Sequence, residues 1–214
     1  MSRRQELQWK VCGLREPTNM LAVAALKPDW VGFIFYRPSP RYVGEDFEMP
    51  KLPSSSQKVG VFVNESLTRI TANVLRYDLQ AVQLHGDETP EDCARLRSAR
   101  LKVIKAVGVD EKFDFASIAP FRSAVDLFLF DTRTSLRGGS GRTFNWEILK
   151  NYNLDIPFLL SGGLTLHNLE AALAIEHPQM AGVDLNSGLE VSAGHKDIEK
   201  VKLAAEIINK HRQP

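Results

Sequence analysis

The chain has 214 residues, of which 43% are hydrophobic and 25% are charged, and its formal net charge is +1. A chain of this length and composition can form a stable buried core without disulfides or bound metals. The sequence has no basic stripe of the kind that binds nucleic acid, and no apolar run approaches the ~18 residues needed to cross a membrane. We therefore predict one domain over residues 1–214, with neither a nucleic-acid nor a membrane partner.

The two cysteines, Cys12 and Cys93, are too few for a disulfide framework and fit a reducing compartment. The N-terminal stretch MSRRQELQWK is basic but contains no hydrophobic region of a signal peptide. We therefore expect a cytoplasmic protein. Cys93 lies in EDCARLRSAR and is expected on the buried side of a helix.

Eight short apolar segments recur along the chain, each ending in a polar or glycine-rich loop, with mostly helical stretches between them. In chain order they are WKVCGL from Trp9, DWVGFIF from Asp29, KVGVFV from Lys58, AVQLHG from Ala81, KVIKAVGV from Lys102, DLFLFDT from Asp126, IPFLLSGG from Ile156 and AGVDLNSG from Ala181. Strands that alternate with helices favour a parallel sheet, and eight such units in ~200 or more residues favour a closed barrel. The predicted fold class is α/β, a single (β/α)8 TIM barrel with eight parallel strands.

Four intervening segments carry strong helical signals: Leu67 to Arg76, Pro90 to Ala99, Leu166 to Ile175 and Asp197 to Lys210. In the second, Thr89 suits the N-cap, Pro90 the first helical position and Asp92 the helix dipole. SPRYVGEDFEMPKLPSSSQK leaves room for only a short, distorted helix between strands 2 and 3. An open doubly wound sheet is the alternative fold, but CGLREPT after strand 1 lacks its usual glycine fingerprint.

Polar residues at the carboxyl ends of the strands are the candidate site residues, because chemistry in this class of barrel lies there. They are Cys12, Arg41, Asn64, His85, Asp131, Ser161, Asp184 and Asn186. Glycines in SGG at 161–163 and NSG at 186–188 let the backbone approach a ligand and present amides to an anion. Either cluster alone fits an ordinary turn, but both together after strands 7 and 8 predict a phosphate site.

Asp131 and Cys12 are the candidates for proton transfer. Asp131 ends the apolar run LFLFDT, where burial would raise its pKa and make the carboxyl a usable general acid. A structural ion pair of Asp131 with Lys10 or Lys105 is the alternative. Cys12 is expected on the same side of strand 1 as Lys10. A free cysteine is often only a small buried side chain, but a thiol with a pKa lowered from ~8.5 could act as base or nucleophile.

The segment RTSLRGGSGRTFNW, from Arg133 to Trp146, follows strand 6 and is rich in arginine and glycine. A lid that closes over substrate and excludes water is the functional interpretation, and a disordered surface loop is the alternative. The position beside Asp131 favours a lid. Its predicted residues are Gly138, Gly139, Ser140 and Gly141.

Seven motifs run in order from Lys10 to about Asp197: KVCGL, VGFIFYRPSPRYV, VGVFVN, AVQLHG, FDT followed by GGSGRTFNW, SGGL and DLNSGLE. In this order and spacing the chain resembles the phosphoribosylanthranilate isomerase family of tryptophan biosynthesis. The resemblance implies an Amadori rearrangement of N-(5-phosphoribosyl)anthranilate to 1-(2-carboxyphenylamino)-1-deoxyribulose 5-phosphate. It implies general acid/base catalysis without a metal or other cofactor.

The resemblance also assigns roles to individual residues. It implies that Cys12 is the general base, that Asp131 is the general acid and that Arg41 contacts the anthranilate carboxylate. Arg37 fits the physical argument for that contact as well, and only the family pattern selects Arg41. The implied partner is a small phosphoribosyl substrate, and we expect a monomer or a homodimer. The predicted substrate-binding residues are Arg41, His85, Gly162, Gly163, Asp184, Asn186, Ser187 and Gly188.

Two other functions stay open at this point. One is another phosphosugar barrel enzyme. A metal-dependent epimerase would need several histidines and aspartates at strand ends, where only His85 of the five histidines lies. The histidine-pathway isomerase handles two phosphates, and VFVNES after strand 3 offers no second glycine site. The other function is a catalytically silent phosphometabolite-binding protein, against which the presence of both Cys12 and Asp131 argues.

Overall fold

The computed structural model describes residues 7–132 and 143–212, and their strands form a closed parallel barrel. The strands are β1 (Gln8–Val11), β2 (Trp30–Ile34), β3 (Gln57–Phe62), β4 (Ala81–Leu84), β5 (Lys102–Val109), β6 (Leu127–Thr132), β7 (Phe158–Leu160) and β8 (Met180–Leu185). Each strand pairs with the next along the chain, and β1 pairs with β8, where Lys10 lies opposite Asp184. The predicted fold class is confirmed.

Helices connect most of the strands. The α-helices of the described residues are α1 (Pro17–Ala24), α2 (Leu67–Tyr77), α3 (Pro90–Ser98), α4 (Leu169–Leu173) and α5 (Ile198–Arg212). 3-10 helices at Phe115–Phe121 and Trp146–Asn151 precede β6 and β7. The predicted start of α3 is confirmed, because Thr89 accepts from the Asp92 amide at 3.2 Å and Asp92 accepts from the Thr89 amide at 3.1 Å. This reciprocal capping box satisfies amides that the helix itself leaves free. Cys93 is fully buried on α3, as expected.

The short helix expected between strands 2 and 3 is absent, and residues 35–56 form turns and irregular chain. Prolines interrupt the segment and deny it a helical hydrogen-bond ladder. Aromatic packing holds the chain here instead, since the ring centroids of Phe47 and Tyr77 are 5.1 Å apart and those of Phe35 and Phe62 are 5.2 Å apart.

The helix predicted from Leu166 to Ile175 is shorter than expected, because α4 spans only Leu169–Leu173. The Asn168 side chain accepts from the Thr165 amide at 2.8 Å and donates to the Gly163 carbonyl at 3.0 Å. These local bonds favour a turn over a helix at 165–168. They also tie the glycine loop after β7 to the start of α4.

Most buried hydrophobic side chains form one large cluster, which includes residues of α1 to α5 and of the strands. A smaller cluster comprises Trp30, Val59, Ala81, Ile104, Ala106, Leu127, Leu129, Leu159 and Ala181. Successive side chains of a strand point to opposite faces, so two separate clusters are expected for a barrel wall. Within residues 7–132 and 143–212, no helix combines the length and apolar character needed to cross a membrane.

Candidate active site

A cavity of about 470 Å³ lies at the carboxyl ends of the strands, within the size range of small-molecule sites. Cys12 reaches it from the end of β1, His85 from β4 and Asp131 from β6. Arg41 reaches it from the loop after β2, and Asp184 from β8. The barrel thus brings together predicted site residues that are far apart in sequence.

The predicted phosphate loops also line this cavity, through Gly162, Gly163, Asn186 and Ser187. Gly162 and Gly163 have φ angles of 86° and 65°, which favour glycine. A Cβ on Gly162 would lie 2.7 Å from Asp131 Oδ1 and 2.3 Å from Thr132 Oγ1. Any side chain at position 162 would therefore push against the proposed acid.

Two predicted residues lie beside the cavity wall rather than on it. Gly188 belongs to a 3-10 turn at Ser187–Leu189, and a Cβ on it would lie 2.0 Å from the Leu164 carbonyl oxygen. Asn64 accepts from the Asp87 amide at 2.6 Å and so joins the loops after β3 and β4. The predicted lid residues Gly138, Gly139, Ser140 and Gly141 lie outside the described residues.

Asp131 has the environment expected of a general acid. Burial raises the pKa of its carboxyl above the ordinary value, against the lowering effects of the Thr132 amide and the Lys10 charge. The Thr132 amide donates to Oδ1 at 2.8 Å. The alternative ion pair is wrong, because Lys10 pairs with Asp184 at 2.9 Å and Lys105 pairs with Glu88 at 3.0 Å.

His85 faces Asp131, with 3.5 Å between Nε2 and Oδ2. Its Nδ1 lies 3.4 Å from Gln83 Nε2. Burial, together with the charges of Lys105 and Lys10, lowers the pKa of His85 to about 4. At neutral pH the imidazole is therefore uncharged and offers one donor and one acceptor.

Cys12 is only 3% exposed, and burial raises the pKa of its thiol above the ordinary value. The lowered pKa that would make this thiol a ready base is not found, because the cost of burying a thiolate exceeds the stabilisation that neighbouring cations supply. Lys10 opposes this rise through its charge and a hydrogen bond. The predicted placement of Cys12 and Lys10 on one side of β1 is confirmed.

Arg41 is held by Glu190, a residue that the sequence analysis did not single out. Arg41 Nε donates to Glu190 Oε1 at 2.9 Å, and Nη2 donates to Oε2 at 2.7 Å. Lys196, fully buried, donates to Glu190 Oε1 at 2.7 Å and to Asn186 Oδ1 at 2.7 Å. Burial raises the pKa of Glu190, but Arg41 and Lys196 outweigh it and hold the pKa below its usual value.

Glu190 and Lys196 lie on a two-stranded hairpin, β9 (Glu190–Ser192) and β10 (His195–Lys196), between β8 and α5. Their charges look like ordinary surface charges in the sequence SGLEVSAGHKD. The one local signal is Gly194, which has a φ of 83° in the hairpin turn and donates its amide to Glu190 at 3.1 Å. That signal predicts a turn but gives no direction for the two side chains.

Comparisons with known proteins agree with this geometry. Residues 9–206 match the sequence profile of the family described as N-(5'phosphoribosyl)anthranilate (PRA) isomerase. The chain is 46% identical over 197 residues to the N-(5'-phosphoribosyl)anthranilate isomerase of Parabacteroides distasonis, and the match covers 90% of this chain and 89% of that protein.

Solved structures give the same result. The crystal structure of phosphoribosyl anthranilate isomerase from Thermotoga maritima is similar with a TM-score of 0.83 at 34% identity, covering 95% of this chain and 99% of that one. A crystal structure of phosphoribosyl anthranilate isomerase in complex with reduced 1-(o-carboxyphenylamino)-1-deoxyribulose 5-phosphate has a TM-score of 0.79 at 31% identity, with the same coverage. Together with the profile match over nearly the whole barrel, these similarities lead to one conclusion: the chain belongs to the N-(5'-phosphoribosyl)anthranilate isomerase family, the isomerases of tryptophan biosynthesis.

Proposed function

We propose that Cys12 and Asp131 carry out the reaction of this family in the described cavity, with Cys12 as the general base and Asp131 as the general acid. The reaction is the Amadori rearrangement of N-(5'-phosphoribosyl)anthranilate to 1-(2-carboxyphenylamino)-1-deoxyribulose 5-phosphate. The observation that carries the proposal is the convergence of Cys12, Asp131 and Arg41 on one cavity that the glycine loops after β7 and β8 also line.

Asp131 acts first in this proposal. A carboxyl whose pKa is raised by burial keeps its proton closer to neutral pH, so it can protonate the furanose ring oxygen. Ring opening then gives a Schiff base between C1 of the sugar and the anthranilate nitrogen. The resulting carboxylate lies beside the Thr132 amide, and it is 3.5 Å from Nε2 of the neutral His85.

Cys12 acts on the opened substrate. Its thiolate removes the proton from C2 of the sugar, and electrons of that bond move into the Schiff base to form an enolamine. The enolamine tautomerises to the 2-ketone, which is the product. Both catalytic steps are proton transfers, so the proposal includes no metal or redox cofactor.

Arg41 binds the anthranilate carboxylate in this proposal. The hydrogen bonds to Glu190 use Nε and Nη2, and within the described residues Nη1 makes no hydrogen bond. A planar guanidinium whose other edge is already held presents these remaining N–H groups in a fixed direction. The carboxylate of the substrate would receive them from within the cavity.

We expect Arg41→Ala to weaken binding of a reduced product analogue by about 1.5 to 3 kcal/mol, the net worth of a hydrogen bond to a charged group. Glu190 keeps Lys196 as a partner in this variant, so folding should survive. Arg37→Ala is the matched control, because Arg37 is exposed and pairs with Glu45. Calorimetric titration measures the affinity of each variant for the analogue. An equal loss with an analogue that lacks the carboxylate would exclude Arg41 as its partner.

The substrate phosphate is proposed to bind the loops after β7 and β8, at Gly162, Gly163, Asn186 and Ser187. Backbone amides in loops of this kind form anion sites without needing a cationic side chain. Asp184, His85 and Gly188 stay predicted contributors to substrate binding. We also propose that the protein is cytoplasmic, that its substrate is a small molecule, and that it is a monomer or a homodimer.

A turnover assay tests the proposal directly. Freshly prepared N-(5'-phosphoribosyl)anthranilate is added to the purified protein, and loss of anthranilate-type fluorescence is followed. Enzyme-dependent loss with formation of the ketone product supports the proposal. Tight binding of substrate without turnover would instead support the silent phosphometabolite-binding protein.

A further inference from the structure

Lys10 is a buried charge that the proposed reaction does not use directly. Its side chain is fully buried inside the barrel, and Nζ donates to Asp184 Oδ1 at 2.9 Å. A buried ammonium group is costly, and one carboxylate accounts for only part of its hydrogen-bonding capacity. Cys12, two residues further along β1, is its other neighbour.

The thiol of Cys12 and the ammonium group of Lys10 both lie close to Gly32 on β2. A Cβ built on Gly32 would lie 2.7 Å from Cys12 Sγ and 3.2 Å from Lys10 Nζ. Both atoms therefore border the space that glycine leaves empty. Gly32 has no positive φ angle, so its backbone does not require glycine. Room for these two side chains is the reason that the structure offers for a glycine at this position.

Several charged side chains lie around Cys12. Lys10 pairs with Asp184, and Lys196 and Arg41 both pair with Glu190. The other titratable groups that line the cavity are Tyr36, His85, Asp87 and Asp131. Of the three cations, Lys10 does most to favour the ionised sulfur, through both its charge and a hydrogen bond. A Cys12 thiolate would therefore give Lys10 a second anionic neighbour.

We propose that Lys10 is a positioning residue that acts through Cys12, stabilising the thiolate that forms when its sulfur ionises in the cavity, and that Asp184 anchors the Lys10 ammonium group. On ionisation the thiol proton leaves to solvent, and Lys10 keeps its three N–H bonds. This inference rests on the proposed role of Cys12 as the base. It explains how a thiol with a pKa raised by burial reaches its reactive form, because Lys10 makes the largest of the contributions that oppose the effect of burial on the Cys12 pKa.

A purely structural ion pair is the competing explanation, because Lys10 and Asp184 are also register partners where β1 meets β8. The two explanations differ in what the thiol does. A structural pair affects folding stability and leaves the ionisation of Cys12 unchanged. A positioning pair shifts that ionisation even where the fold is intact.

The test is the rate of Cys12 alkylation by iodoacetamide as a function of pH, followed by peptide mass spectrometry. The variant is Lys10→Met with Asp184→Asn, which removes the cation without leaving an unpaired buried carboxylate. The matched control is Lys105→Met with Glu88→Gln, which removes a buried lysine pair on the barrel strand β5 rather than beside Cys12. Cys93 does not interfere, because it lies in a separate peptide and burial raises its pKa to about 11.

We expect the midpoint of the Cys12 titration to rise in the Lys10 variant, because the lost charge and hydrogen bond of Lys10 outweigh the lost charge of Asp184, which itself raises the pKa of Cys12. A rise of about 0.3 pH unit or more is expected, so alkylation below the midpoint should be at least about twofold slower. The control should keep the midpoint of the original protein. An unchanged midpoint in the Lys10 variant, or an equal shift in the control, would overturn the proposal.

Gly32→Ala provides a second test if the Lys10 variant does not fold. The added methyl group would crowd both Sγ and Nζ and so displace them from their present positions while both charges remain. The midpoint should rise again, and an unchanged midpoint would count against the proposal. Thiol titration needs no substrate, so this result is independent of the proposed function, which fails if Cys12→Ser retains turnover.

Discussion

Cys12→Ser and Asp131→Asn should each lower turnover by at least ~100-fold, the usual scale of positioned acid/base catalysis. A serine hydroxyl ionises too weakly to replace a thiolate, and an asparagine amide is far too weak an acid to protonate the ring oxygen. Both substitutions nearly preserve side-chain volume, so thermal stability should change little. Fluorescence-detected turnover and a thermal unfolding curve measure the two effects separately.

Cys93→Ser is the matched control for the thiol. Cys93 is fully buried on α3 and does not line the cavity, so its substitution should affect stability and leave turnover near normal. Near-normal turnover in Cys12→Ser or in Asp131→Asn would remove that residue from the mechanism.

Gly163→Asp should raise the Michaelis constant at least ~10-fold, because a carboxylate in the proposed phosphate loop repels the substrate phosphate. It should also abolish protection by inorganic phosphate against thermal unfolding. Gly163 has a φ of 65°, a conformation that Asp and Asn tolerate better than most residues. Gly163→Asn is therefore the control with nearly the same shape and no charge. Steady-state kinetics and thermal unfolding with added phosphate are the measurements.

Substitutions at two other glycines show how a folding defect differs from a binding defect. Gly60→Asp should damage folding, because a Cβ there would lie 2.6 Å from Leu79 Cδ1 inside the packed wall. In Gly188→Asp the new side chain would clash with the Leu164 carbonyl oxygen, so a folding defect could not be separated from a binding defect. Equal Michaelis constants for Gly163→Asp and Gly163→Asn, or phosphate protection that persists in both, would show that the anion binds elsewhere.

The barrel and the positions of Cys12 and Asp131 could be predicted because they follow from local pattern. Apolar segments of strand length recur at regular intervals, and the carboxyl ends of parallel strands must meet on one rim. Asp131 ends an apolar run, so its burial and its raised pKa followed from the sequence as well. The residues that cap α3 could be predicted for the same reason, because they are neighbours in the sequence.

Other features depend on contacts that no local pattern contains. Glu190 reaches Arg41 across 149 positions of sequence, and only the hairpin geometry aims it there. The direction of the Cys12 pKa shift depends on how deeply the thiol is buried and on how close Lys10 lies to it. Neither quantity can be read from the local sequence. The helix expected before β3 is absent because prolines interrupt the segment, and the packing of Phe47 against Tyr77 that holds this chain instead is a tertiary contact.

The Lys10 to Asp184 contact joins residues 174 positions apart, on the first strand and the last. During synthesis Cys12 emerges early, yet its ammonium neighbour is anchored only when β8 is complete and closes the ring. A nascent or truncated chain that stops before β8 lacks Asp184, so the Lys10 ammonium group would have no anchor, whatever structure its earlier strands had reached. If Lys10 has the role proposed above, the thiol and its ammonium neighbour take up their working arrangement only when the barrel closes.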